Sequence, residues 1–511
     1  MLKRHSSGLY MGELYVAGEW WSPRDDFKSA NPATQETIGS IPIATTRELD
    51  LAVDVANEAL TTWGDDRKWS WVKRAEVIDE LVQLVKANTE AIATLIAKEC
   101  GKIINECRAE VVEGIHMLQY CAGMGRHPIG LKISSEIPEK EAETYLSPRG
   151  VCTVITPWNF PFAIPTWLIG PALVSGNPVI FKPSEETPLV GQYFVALWHE
   201  AAKKHNVPSS VLNLVHGDGK VGEYLVRHPG TVGQLFTGSY AVGAKIKQIA
   251  AAHHDKFAIC EMGGKNSLIV LKDADMELAV NAAILSAYKT THQRCVSADI
   301  IIVEEEIEHE FTKRFLELTD HVKFGDPFDK DVFAGPLINQ KAVTKHQQHA
   351  HQVAAEGATI LHNDDVVHGN FVRPNVFLMR YRPDTFALRE EFFTPNVIIV
   401  PVRDFEEAMR AANDNEYGLS MALITNDYRK MREFKVRGKA GLKYVNLPTI
   451  GAEVHLPFGG MRRSGTGMPS AAWLFKHLCH ETSFTVNYGN EIKMAQGLST
   501  KMQEKNEPGN L

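Results

Sequence analysis

One cysteine of this chain stands apart because of the residues around it. Cys295 lies in KTTHQRCVSADI, between a polar run and a segment typical of a β-strand. A cysteine in such a place can act as a nucleophile, whereas most free cysteines pack as small apolar side chains. The others are Cys100, Cys107, Cys121, Cys152, Cys260 and Cys479. Their spacing has no C-x-x-C pair, so we expect neither a disulfide framework nor a metal site.

A first glycine-rich turn matches a known phosphate-binding pattern. The stretch HGDGKVG places Gly217, Gly219 and Gly222 in G-x-G-x-x-G spacing, after a predicted strand and before a predicted helix. This is the local setting of a dinucleotide-binding turn. The acidic residue expected about 20 positions further on, which would hold the adenosine ribose, is missing. The turn therefore remains open between a phosphate site and a structural loop.

A second glycine-rich turn and a short polar loop are further candidates for ligand binding. The stretch LFTGSYAVG sets Gly238, Ser239 and Gly243 between a strand and a helix, where free backbone N–H groups favour a pyrophosphate. In FKPSEE, Lys182 and Glu185 follow a predicted strand directly. Polar residues at the carboxyl edge of a parallel sheet line the cleft in which ligands bind. Each feature alone is equally compatible with an ordinary turn or a solvated loop.

The elements that must position these residues alternate between strand and helix. From residue 150 onward, strand-like stretches such as GVCTVITP, NPVIFKPS and TVGQLFTGS are each followed by a helical segment. A second alternating region begins at KNSLIVL and continues through ADIIIVEEE and NVIIVPV. This pattern predicts two α/β domains in tandem, each built on a doubly wound parallel sheet, with their boundary near residue 260.

Two strand-like segments fall outside both alternating regions. They are GLKISSEIPEKEAETYLSP, at about 131–149, and the late segment ETSFTVNYGNEI. A detached strand needs an edge to pair with, and a second copy of the chain can supply one. We therefore expect a homo-oligomer, either a dimer or a tetramer.

Composition excludes several classes of protein. The 511 residues are 44% hydrophobic and 23% charged, with a net charge of −8 and no cluster of basic residues. A nucleic-acid partner is therefore not expected. No apolar run approaches the ~20 residues of a membrane span, and the first residues do not resemble a signal peptide. We expect a soluble, cytoplasmic protein with no membrane partner.

Seven motifs together resemble the NAD(P)-dependent aldehyde dehydrogenase superfamily. They are TPWNFPFAIP, IFKPSE, FTGSYAVG, EMGGKN, HQRC, EEFFTP and LPFGGMRRSGTG, in the order and approximate spacing typical of that family. The resemblance extends over nearly the whole chain. It implies a Rossmann-like NAD-binding domain (1–130 with 150–260), an α/β catalytic domain (261–465) and oligomerisation strands (131–149 and 466–500).

The resemblance also implies the chemistry, which is oxidation of a small aldehyde to a carboxylic acid. Cys295 matches the nucleophile, which forms a thiohemiacetal and then a thioester. Glu261 matches the general base that activates the thiol or the hydrolytic water. Asn159 matches the amide that, with the Cys295 backbone N–H, holds the oxyanion.

The same comparison implies the cofactor-binding residues. Lys182, Ser184 and Glu185 match the adenosine-ribose region, and Glu391 and Phe393 match the nicotinamide ribose and ring. The remaining residues match the first strand-end loop and the pyrophosphate turn, namely Thr156, Pro157, Trp158, Gly238, Ser239 and Gly243. The family thus favours the second glycine-rich turn over HGDGKVG. Because a carboxylate at Glu185 would repel a 2′-phosphate, we expect NAD as the cofactor, with NADP less favoured.

The chain departs from the family pattern at four positions. His292 stands where a glycine is usual, Thr394 replaces the glycine of E-x-F-G-P, and Tyr240 and Ala241 replace a small hydroxyl residue and an acid. None of these changes removes a reacting group. They bear on the geometry of the loops at the cofactor.

A late loop and one arginine suggest a substrate class. Gly451 and Ala452 resemble the anchor loop of the semialdehyde branches, which holds a substrate carboxylate on backbone N–H groups. Arg294, next to the cysteine, can pair with a carboxylate, and the final segment resembles the antiquitin-like branch. An unspecialised aldehyde remains an alternative. So do a cofactor-independent cysteine hydrolase using Lys265 and a CoA-acylating dehydrogenase, although the latter generally lacks a glutamate equivalent to Glu261.

Overall fold

The computed structural model describes residues 2–23, 25–127, 129–363, 368–469 and 471–496. In chain order its strands are β1 (Lys3–Arg4), β2 (Tyr10–Met11), β3 (Leu14–Val16), β4 (Glu19–Trp21), β5 (Asp26–Ala30), β6 (Thr37–Pro42), β7 (Lys132–Ser134), β8 (Lys140–Pro148), β9 (Cys152–Ile155), β10 (Val179–Lys182), β11 (Leu212–Leu214), β12 (Gly233–Gly238), β13 (Phe257–Met262), β14 (Asn266–Val270), β15 (Ala298–Glu304), β16 (Thr359–His362), β17 (Asn375–Leu378), β18 (Asn396–Val402), β19 (Ser420–Ile424), β20 (Leu442–Val445), β21 (Gly465–Thr466) and β22 (Cys479–Asn487).

The α-helices, also in chain order, are α1 (Thr46–Trp63), α2 (Trp71–Ala87), α3 (Thr89–Cys100), α4 (Ile104–Met124), α5 (Ala163–Val174), α6 (Pro188–Lys204), α7 (Gly219–Arg227), α8 (Tyr240–Ala251), α9 (Met276–Tyr288), α10 (Glu305–His321), α11 (Gln340–Ala355), α12 (Phe386–Arg389), α13 (Phe405–Asn413), α14 (Tyr428–Arg437) and α15 (Ala471–Leu478). Short 3₁₀ turns cover Lys289–His292 and Arg462–Ser464.

The first large sheet has the order β21-β13-β12-β9-β10-β11-β3-β4. Its five strands from β13 to β11 are parallel, and antiparallel strands close both edges. Successive residues of β10 point to opposite faces, as the period of a strand requires. Val179 and Phe181 pack in one core and Ile180 in another, so helices cover both faces. This confirms the predicted doubly wound sheet.

The second large sheet has the order β16-β17-β18-β15-β14-β19-β20 and is parallel except at β16. Its central strand β15 is buried along its whole length. Ile300 and Ile302 pack on one face and Ile301 and Val303 on the other. Strands buried on both faces are expected to be continuous apolar runs, and residues 300–303 of β15 have such a sequence, IIIV.

The elements of the structure run across the predicted domain boundaries, and the division into domains stays a prediction. Strand β13 stays in the first sheet as far as Met262, so a division between 260 and 261 would cut a strand in two. After the second sheet the chain returns to the first, because β21 pairs with β13. The segment predicted as strands from residue 466 also contains α15. Hydrogen bonding between strands that are distant along the chain places β13 and β21 in the first sheet. The local sequence pattern does not reveal this pairing.

The remaining strands form two small sheets. One has the order β1-β2-β6-β5, and the other is the antiparallel sheet β22-β8-β7. The second is built from the two segments that were predicted to lie outside both large sheets. Ile133, Tyr145 and Phe484 are exposed on it. The oligomeric role of this sheet stays a prediction.

Candidate active site

The cleft begins where the first sheet changes its winding direction. From β9 the chain moves to β10 and β11 on one side, and then to β12 and β13 on the other. In open α/β sheets, ligands bind at the carboxyl edge of such a switch point. Residues 156–159 follow β9 here, Gly238 ends β12, and Ser239 comes directly after it. The two candidate cofactor segments therefore lie on adjacent strands.

The amino edge of the second sheet forms the opposite wall. Cys295 comes three residues before β15, and Glu391 comes shortly before β18. Asn266, the first residue of β14, donates from Nδ2 to the carbonyl oxygens of Cys295 and Ser297 at 2.7 and 2.8 Å. The backbone of the cysteine is thus fixed by a buried amide of the neighbouring strand.

The turn that leads into Cys295 adopts an uncommon backbone conformation. Thr290, Thr291 and His292 have φ angles of 55°, 56° and 66°. Left-handed conformations are costly for residues with a Cβ and favour glycine. This explains why glycine is usual in the family at the position of His292. In this chain two ring-nitrogen contacts hold the histidine, to the Ala287 carbonyl at 2.6 Å and to Asp299 Oδ1 at 2.7 Å.

A cavity of about 340 Å³ lies between the two walls. Eight of the predicted site residues line it: Pro157, Trp158, Asn159, Gly238, Ser239, Cys295, Glu391 and Phe393. The Trp158 and Phe393 rings meet edge to face, with their centroids 5.8 Å apart. Asn339, Lys341 and Lys345 of the α11 region also line the cavity, and sequence analysis had not selected them. The arrangement gives an aromatic wall, a carboxylate and a helix N-terminus around one space.

A second cavity of about 150 Å³ also reaches Cys295. Its lining includes the other predicted catalytic and substrate residues, Glu261, Arg294, Gly451 and Ala452. Aromatic side chains complete its walls, namely Phe160, Trp167 and Phe458. Cys295 is thus the predicted residue shared by the two cavities, which is the position a nucleophile between two bound reactants must occupy.

Burial raises the pKa values of both the thiol and the nearby carboxyl group. Burial raises the pKa of the Cys295 thiol above its ordinary value, and the charges of Glu261 and Glu391 raise it further. Burial also raises the pKa of Glu261 well above the usual range, and only the backbone of Gly460 opposes this shift. The other six cysteines are buried, whereas Cys295 is partly exposed. A neutral thiol beside a buried base fits a nucleophile that is deprotonated only when needed.

Asn159 is buried and connects the two walls. Its Nδ2 donates to the Gln293 carbonyl at 2.9 Å, two residues before the cysteine. A primary amide has a second N–H, and that one is not used in this contact. Lys102 Nζ donates to the Asn159 carbonyl at 3.1 Å, so the residue is held at its backbone as well.

Glu391 is a buried carboxylate at the cavity wall. Burial raises its pKa to about 7, and a hydrogen bond from the Gly264 backbone N–H at 2.9 Å opposes the shift. Gly263 is needed for this arrangement, because a Cβ there would lie 2.1 Å from a carboxylate oxygen of Glu391. The carboxylate is thus set against bare backbone and has space to accept hydroxyl donors.

The residues at the end of β10 lie beside the cavities without lining them. Lys182 Nζ donates to the carbonyls of Pro183 and Gly217 at 3.0 and 2.7 Å and lies 3.8 Å from Glu185 Oε2. The G-x-G-x-x-G turn therefore serves to hold this lysine. Of the other predicted residues, Thr156, Ser184 and Gly243 are also outside both linings. Gly243 allows close packing, since a Cβ there would lie 2.5 Å from Met262 Sδ.

Two further departures from the family pattern have structural partners. The Tyr240 ring lies under the guanidinium of Arg463 at 4.8 Å and meets the Tyr417 ring at 6.4 Å. Thr394 Oγ1 accepts from Asn396 Nδ2 at 3.2 Å. Ala241 is exposed. The replacements at Tyr240 and Thr394 thus form contacts that a serine or glycine could not make in the same way.

Glu113 is the principal cavity residue that sequence analysis missed. It lies on α4, three residues after Glu110, and lines the smaller cavity with Arg294. Burial raises its pKa to about 7, the charge of Glu110 adds to the shift, and Arg294 opposes it. The sequence feature that could have indicated Glu113 is an acidic residue inside the apolar stretch EVVEGIHML. Such a residue is ordinarily explained by a position that faces solvent.

Two negative findings hold for the described residues. Among residues 2–23, 25–127, 129–363, 368–469 and 471–496, no helix is long and apolar enough to cross a membrane. Within the same ranges, no group of three or more histidine, cysteine or acidic side chains is arranged to hold a metal ion.

Comparison with known proteins assigns the family. The sequence profile of the aldehyde dehydrogenase family matches residues 20–483. Alpha-ketoglutaric semialdehyde dehydrogenase of Bacillus subtilis is 35% identical over 462 residues, which cover 88% of this chain and 93% of that protein. Aldehyde dehydrogenase family 7 member A1 of Pisum sativum is 30% identical over 491 residues, covering 95% of each. The chain therefore belongs to the aldehyde dehydrogenase family and is an aldehyde dehydrogenase.

The fold is shared with solved structures as well. Betaine aldehyde dehydrogenase from Staphylococcus aureus, solved in complex with NAD+, matches with a TM-score of 0.88 and 28% identity. The match covers 96% of this chain and 97% of that one. The family resemblance inferred from the seven motifs is thus confirmed, together with the fold that it implied.

Proposed function

We propose that the chain oxidises a carboxylate-bearing semialdehyde to the corresponding acid, with NAD as the hydride acceptor. The observation that carries this proposal is the position of Cys295 between two cavities. One cavity has an aromatic wall and a buried carboxylate, and the other has an arginine and an acidic residue. Such a nucleophile can meet the aldehyde from one side while the cofactor lies on the other.

Cys295 and Glu261 are proposed to carry the covalent steps. Glu261 takes the thiol proton, and the thiolate attacks the carbonyl carbon to give a thiohemiacetal. Loss of hydride converts the adduct to a thioester. Glu261 passes the thiol proton to solvent and then removes a proton from water, which attacks the thioester. The Cys295 thiolate leaves and takes that proton back from Glu261, and the acid is released. The raised pKa of Glu261 suits this role, because it makes the carboxylate a stronger proton acceptor.

Asn159 is proposed to stabilise the oxygen that becomes negatively charged. One of its N–H groups is held by the Gln293 carbonyl, which orients the other. With the backbone N–H of Cys295 it forms a two-donor oxyanion site. Removing one such donor typically lowers kcat ~10²–10³-fold, so we expect Asn159→Ala to lose activity in that range.

The larger cavity fits a dinucleotide cofactor. Glu391 is buried and accepts one hydrogen bond, which leaves capacity for ribose hydroxyls. The N-terminus of α8, at Ser239 and Tyr240, presents backbone N–H groups suited to a pyrophosphate. Trp158 and Phe393 provide the apolar wall for a planar ring. When bound, NAD supplies the nicotinamide that accepts the hydride.

The region beyond β10 favours NAD over NADP. Lys182 is already engaged with two carbonyls and with Glu185, so its charge is partly compensated. The Glu185 side chain is half exposed, where it would repel an added phosphate on the adenosine ribose. Hydroxyl groups can instead donate to it.

The smaller cavity supports the substrate class. Arg294 is held by its Nε, which donates to Thr290 Oγ1 at 2.7 Å, and its guanidinium faces the Phe160 ring at 5.1 Å. Gly451 has φ 129°, so the anchor loop can expose backbone N–H groups without a Cβ in the way. A carboxylate at the far end of the substrate would meet this cation and backbone, while Glu113 offers an acceptor for an amino or hydroxyl group. The Bacillus subtilis relative is named for a semialdehyde of a dicarboxylic acid, which supports the same class.

The test follows NADH absorbance with the purified protein, NAD and a panel of aldehydes. The panel runs from short aliphatic and aromatic aldehydes to succinic, glutaric, α-ketoglutaric and aminoadipic semialdehydes. We expect the highest kcat/KM with a semialdehyde. Cys295→Ala should abolish NADH formation, and Cys479→Ala, which removes a buried cysteine of β22, should not.

A matched pair of variants tests the substrate assignment. Arg294→Gln should lower kcat/KM for the semialdehyde about 10²-fold and for an uncharged aldehyde of similar length by less than threefold. Arg108→Gln removes an exposed cation of α4 paired with Glu90 and should change neither. Equal losses on both substrates would refute carboxylate recognition. NADH formation only in the presence of CoA would favour the acylating alternative, and turnover of an ester without NAD would favour the hydrolase.

A further inference from the structure

Three loops of the active site meet at one buried aspartate. Asp299, the second residue of β15, is 1% exposed. One carboxylate oxygen accepts from His292 Nε2 at 2.7 Å, on the turn that leads into Cys295. The other accepts from the Phe392 backbone N–H at 3.5 Å and lies 3.4 Å from Lys265 Nζ. Phe392 stands between Glu391 and Phe393, so one side chain contacts the turn before Cys295 and the loop of Glu391, both at the edge of the second sheet.

The His292 contact holds a conformation that the residue does not favour by itself. A left-handed backbone conformation is costly for a non-glycine residue, and here three such residues follow one another. Such a turn persists only when its surroundings fix it. Both ring nitrogens of His292 contact acceptors, the Ala287 carbonyl and the Asp299 carboxylate, so the ring is held on two sides. The Asp299 carboxylate is ionised, so the hydrogen bond to it is charge-assisted.

The Lys265 contact holds the other loop. Lys265 is 3% exposed, and its Nζ lies 3.3 Å from the centroid of the Phe392 ring. A cation is attracted to the face of an aromatic ring, and the attraction is stronger where water is excluded. Lys265 follows Gly264, whose N–H donates to the Glu391 carboxylate. The lysine thus packs against the segment that carries both Glu391 and Phe393.

The charges of this group depend on each other. Burial by itself would raise the pKa of Asp299, but Lys265 and His292 outweigh it and hold the pKa below the ordinary value. Burial lowers the pKa of Lys265 to about 8, and Asp299 opposes that shift. The carboxylate therefore stays ionised between Lys265 and His292. Neutralising it would leave the Lys265 cation buried without a counter-charge, which proteins tolerate poorly.

We propose that Asp299 is a positioning residue that fixes the Cys295 turn and the Glu391–Phe393 loop in register with each other. His292 connects it to the first and Lys265 to the second. The inference rests on the proposed function in so far as the two loops carry the nucleophile and the cofactor contacts. It adds that the spacing between them is set by a buried ionic group, which includes the histidine that departs from the family pattern.

Hydrogen exchange of the protein without cofactor tests the positioning directly. In Asp299→Asn, amides of both segments, 290–296 and 390–394, should exchange at least about tenfold faster than in the unaltered protein. In His292→Gly only the first segment should lose protection, because glycine accepts the backbone angle but cannot hold Asp299. In Lys265→Met only the second should change. Asp273→Asn, at the far end of β14 where Asp273 accepts from Thr425 and Asn426, is the matched control and should affect neither.

Kinetics supply a second readout, because a merely structural role would not produce separate effects on KM and kcat. Asp299→Asn should raise KM for NAD and lower kcat, each about tenfold, whereas Lys265→Met should act mainly on KM and His292→Gly mainly on kcat. Unchanged exchange in either segment of Asp299→Asn would overturn the proposal. If Asp299→Asn fails to fold, His292→Gly and Lys265→Met test the proposal, because each should lose protection in a different segment. Loss of protection in both segments in each of these two variants would refute the proposal. If the unaltered protein forms no NADH, the proposed function fails while the exchange result still stands.

Discussion

A buried ion pair behind the oxyanion residue offers a sharp test of how the site is held. Lys102 and Glu110 are almost fully buried and lie 2.5 Å apart. The second carboxylate oxygen of Glu110 accepts from the backbone N–H groups of Phe162 and Ala163 at 2.8 and 3.1 Å. Lys102 donates to the carbonyl of Asn159 at 3.1 Å. The pair therefore holds the segment from residue 159 to 163 at both ends.

Glu110→Gln keeps an oxygen for the two N–H groups but removes the negative charge. Lys102 would then be a buried cation without a partner, and breaking a buried pair in this way costs about 3–5 kcal/mol of unfolding free energy. Lys102 would also move, because its remaining contacts, with the Asn159 carbonyl and with the Phe160 ring at 3.7 Å, do not replace the lost charge. A shift of about 1 Å in a catalytic group lowers the rate about 10²-fold, so kcat should fall by that factor.

The double variant Lys102→Met/Glu110→Gln separates stability from position. Without the cation, no buried charge is left unpaired, so most of the lost unfolding free energy should return. The Asn159 carbonyl still lacks its donor, so kcat should remain at least about tenfold below that of the unaltered protein. The assays are denaturant unfolding followed by tryptophan fluorescence, and NADH formation at saturating NAD and aldehyde. Glu90→Gln, which removes an exposed carboxylate paired with Arg108, is the control. Full activity in a destabilised Glu110→Gln would refute the argument that this pair positions Asn159.

Three further outcomes are expected from the cofactor side. The pKa of Glu391 is raised to about 7, and ribose hydroxyls donate to its ionised form. NAD affinity should therefore fall up to tenfold per pH unit below pH 7 and level off above it. Fluorescence titrations from pH 5.5 to 8.5 measure this affinity, and Glu391→Gln should show no such dependence on pH. Glu185→Gln should raise the NADP to NAD ratio of kcat/KM about fivefold, as removal of about 1 kcal/mol of repulsion near water predicts, and an unchanged ratio would count against Glu185 as the selecting residue. Gly263→Ala would place a Cβ 2.1 Å from the Glu391 carboxylate and should raise KM for NAD more than it lowers kcat, whereas Gly123→Ala, with open space around it, should be silent.

Much of the architecture could be predicted because it depends on local pattern. The apolar runs IIIV and VIF are strands buried on both faces, and the alternation of strand and helix implies parallel sheets. Thr45 and Glu48 form a capping interaction at α1, where the Thr45 backbone N–H donates to Glu48 Oε2 at 2.9 Å. Gly101 ends α3 with φ 77°, as a C-cap glycine does. Each of these features needs only residues close in sequence.

The candidate site was predicted differently at its centre and at its edges. Cys295, Glu261 and Asn159 were selected by motif resemblance, and the structure places all three at the cavities. Glu113 and Lys102 were missed, because an acid or a lysine on a helix is ordinarily a solvent-facing residue. The G-x-G-x-x-G turn matched a phosphate-binding pattern, yet its Gly217 carbonyl accepts from Lys182. A pattern of glycines determines which conformations a backbone can adopt, and the surrounding residues determine which group that backbone contacts.

The sequence by itself determined the two parallel sheets, the family and the residues that carry the proposed chemistry, because periodicity and motif order are properties of the chain. Only the tertiary structure decided that β21 returns to the first sheet, that Glu113 faces Arg294 across one cavity and that Asp299 joins His292 to Lys265. The physical reason is that these contacts are between residues distant along the chain or on separate loops. Burial and hydrogen bonding there depend on how the two sheets face each other, and no local spacing encodes that arrangement.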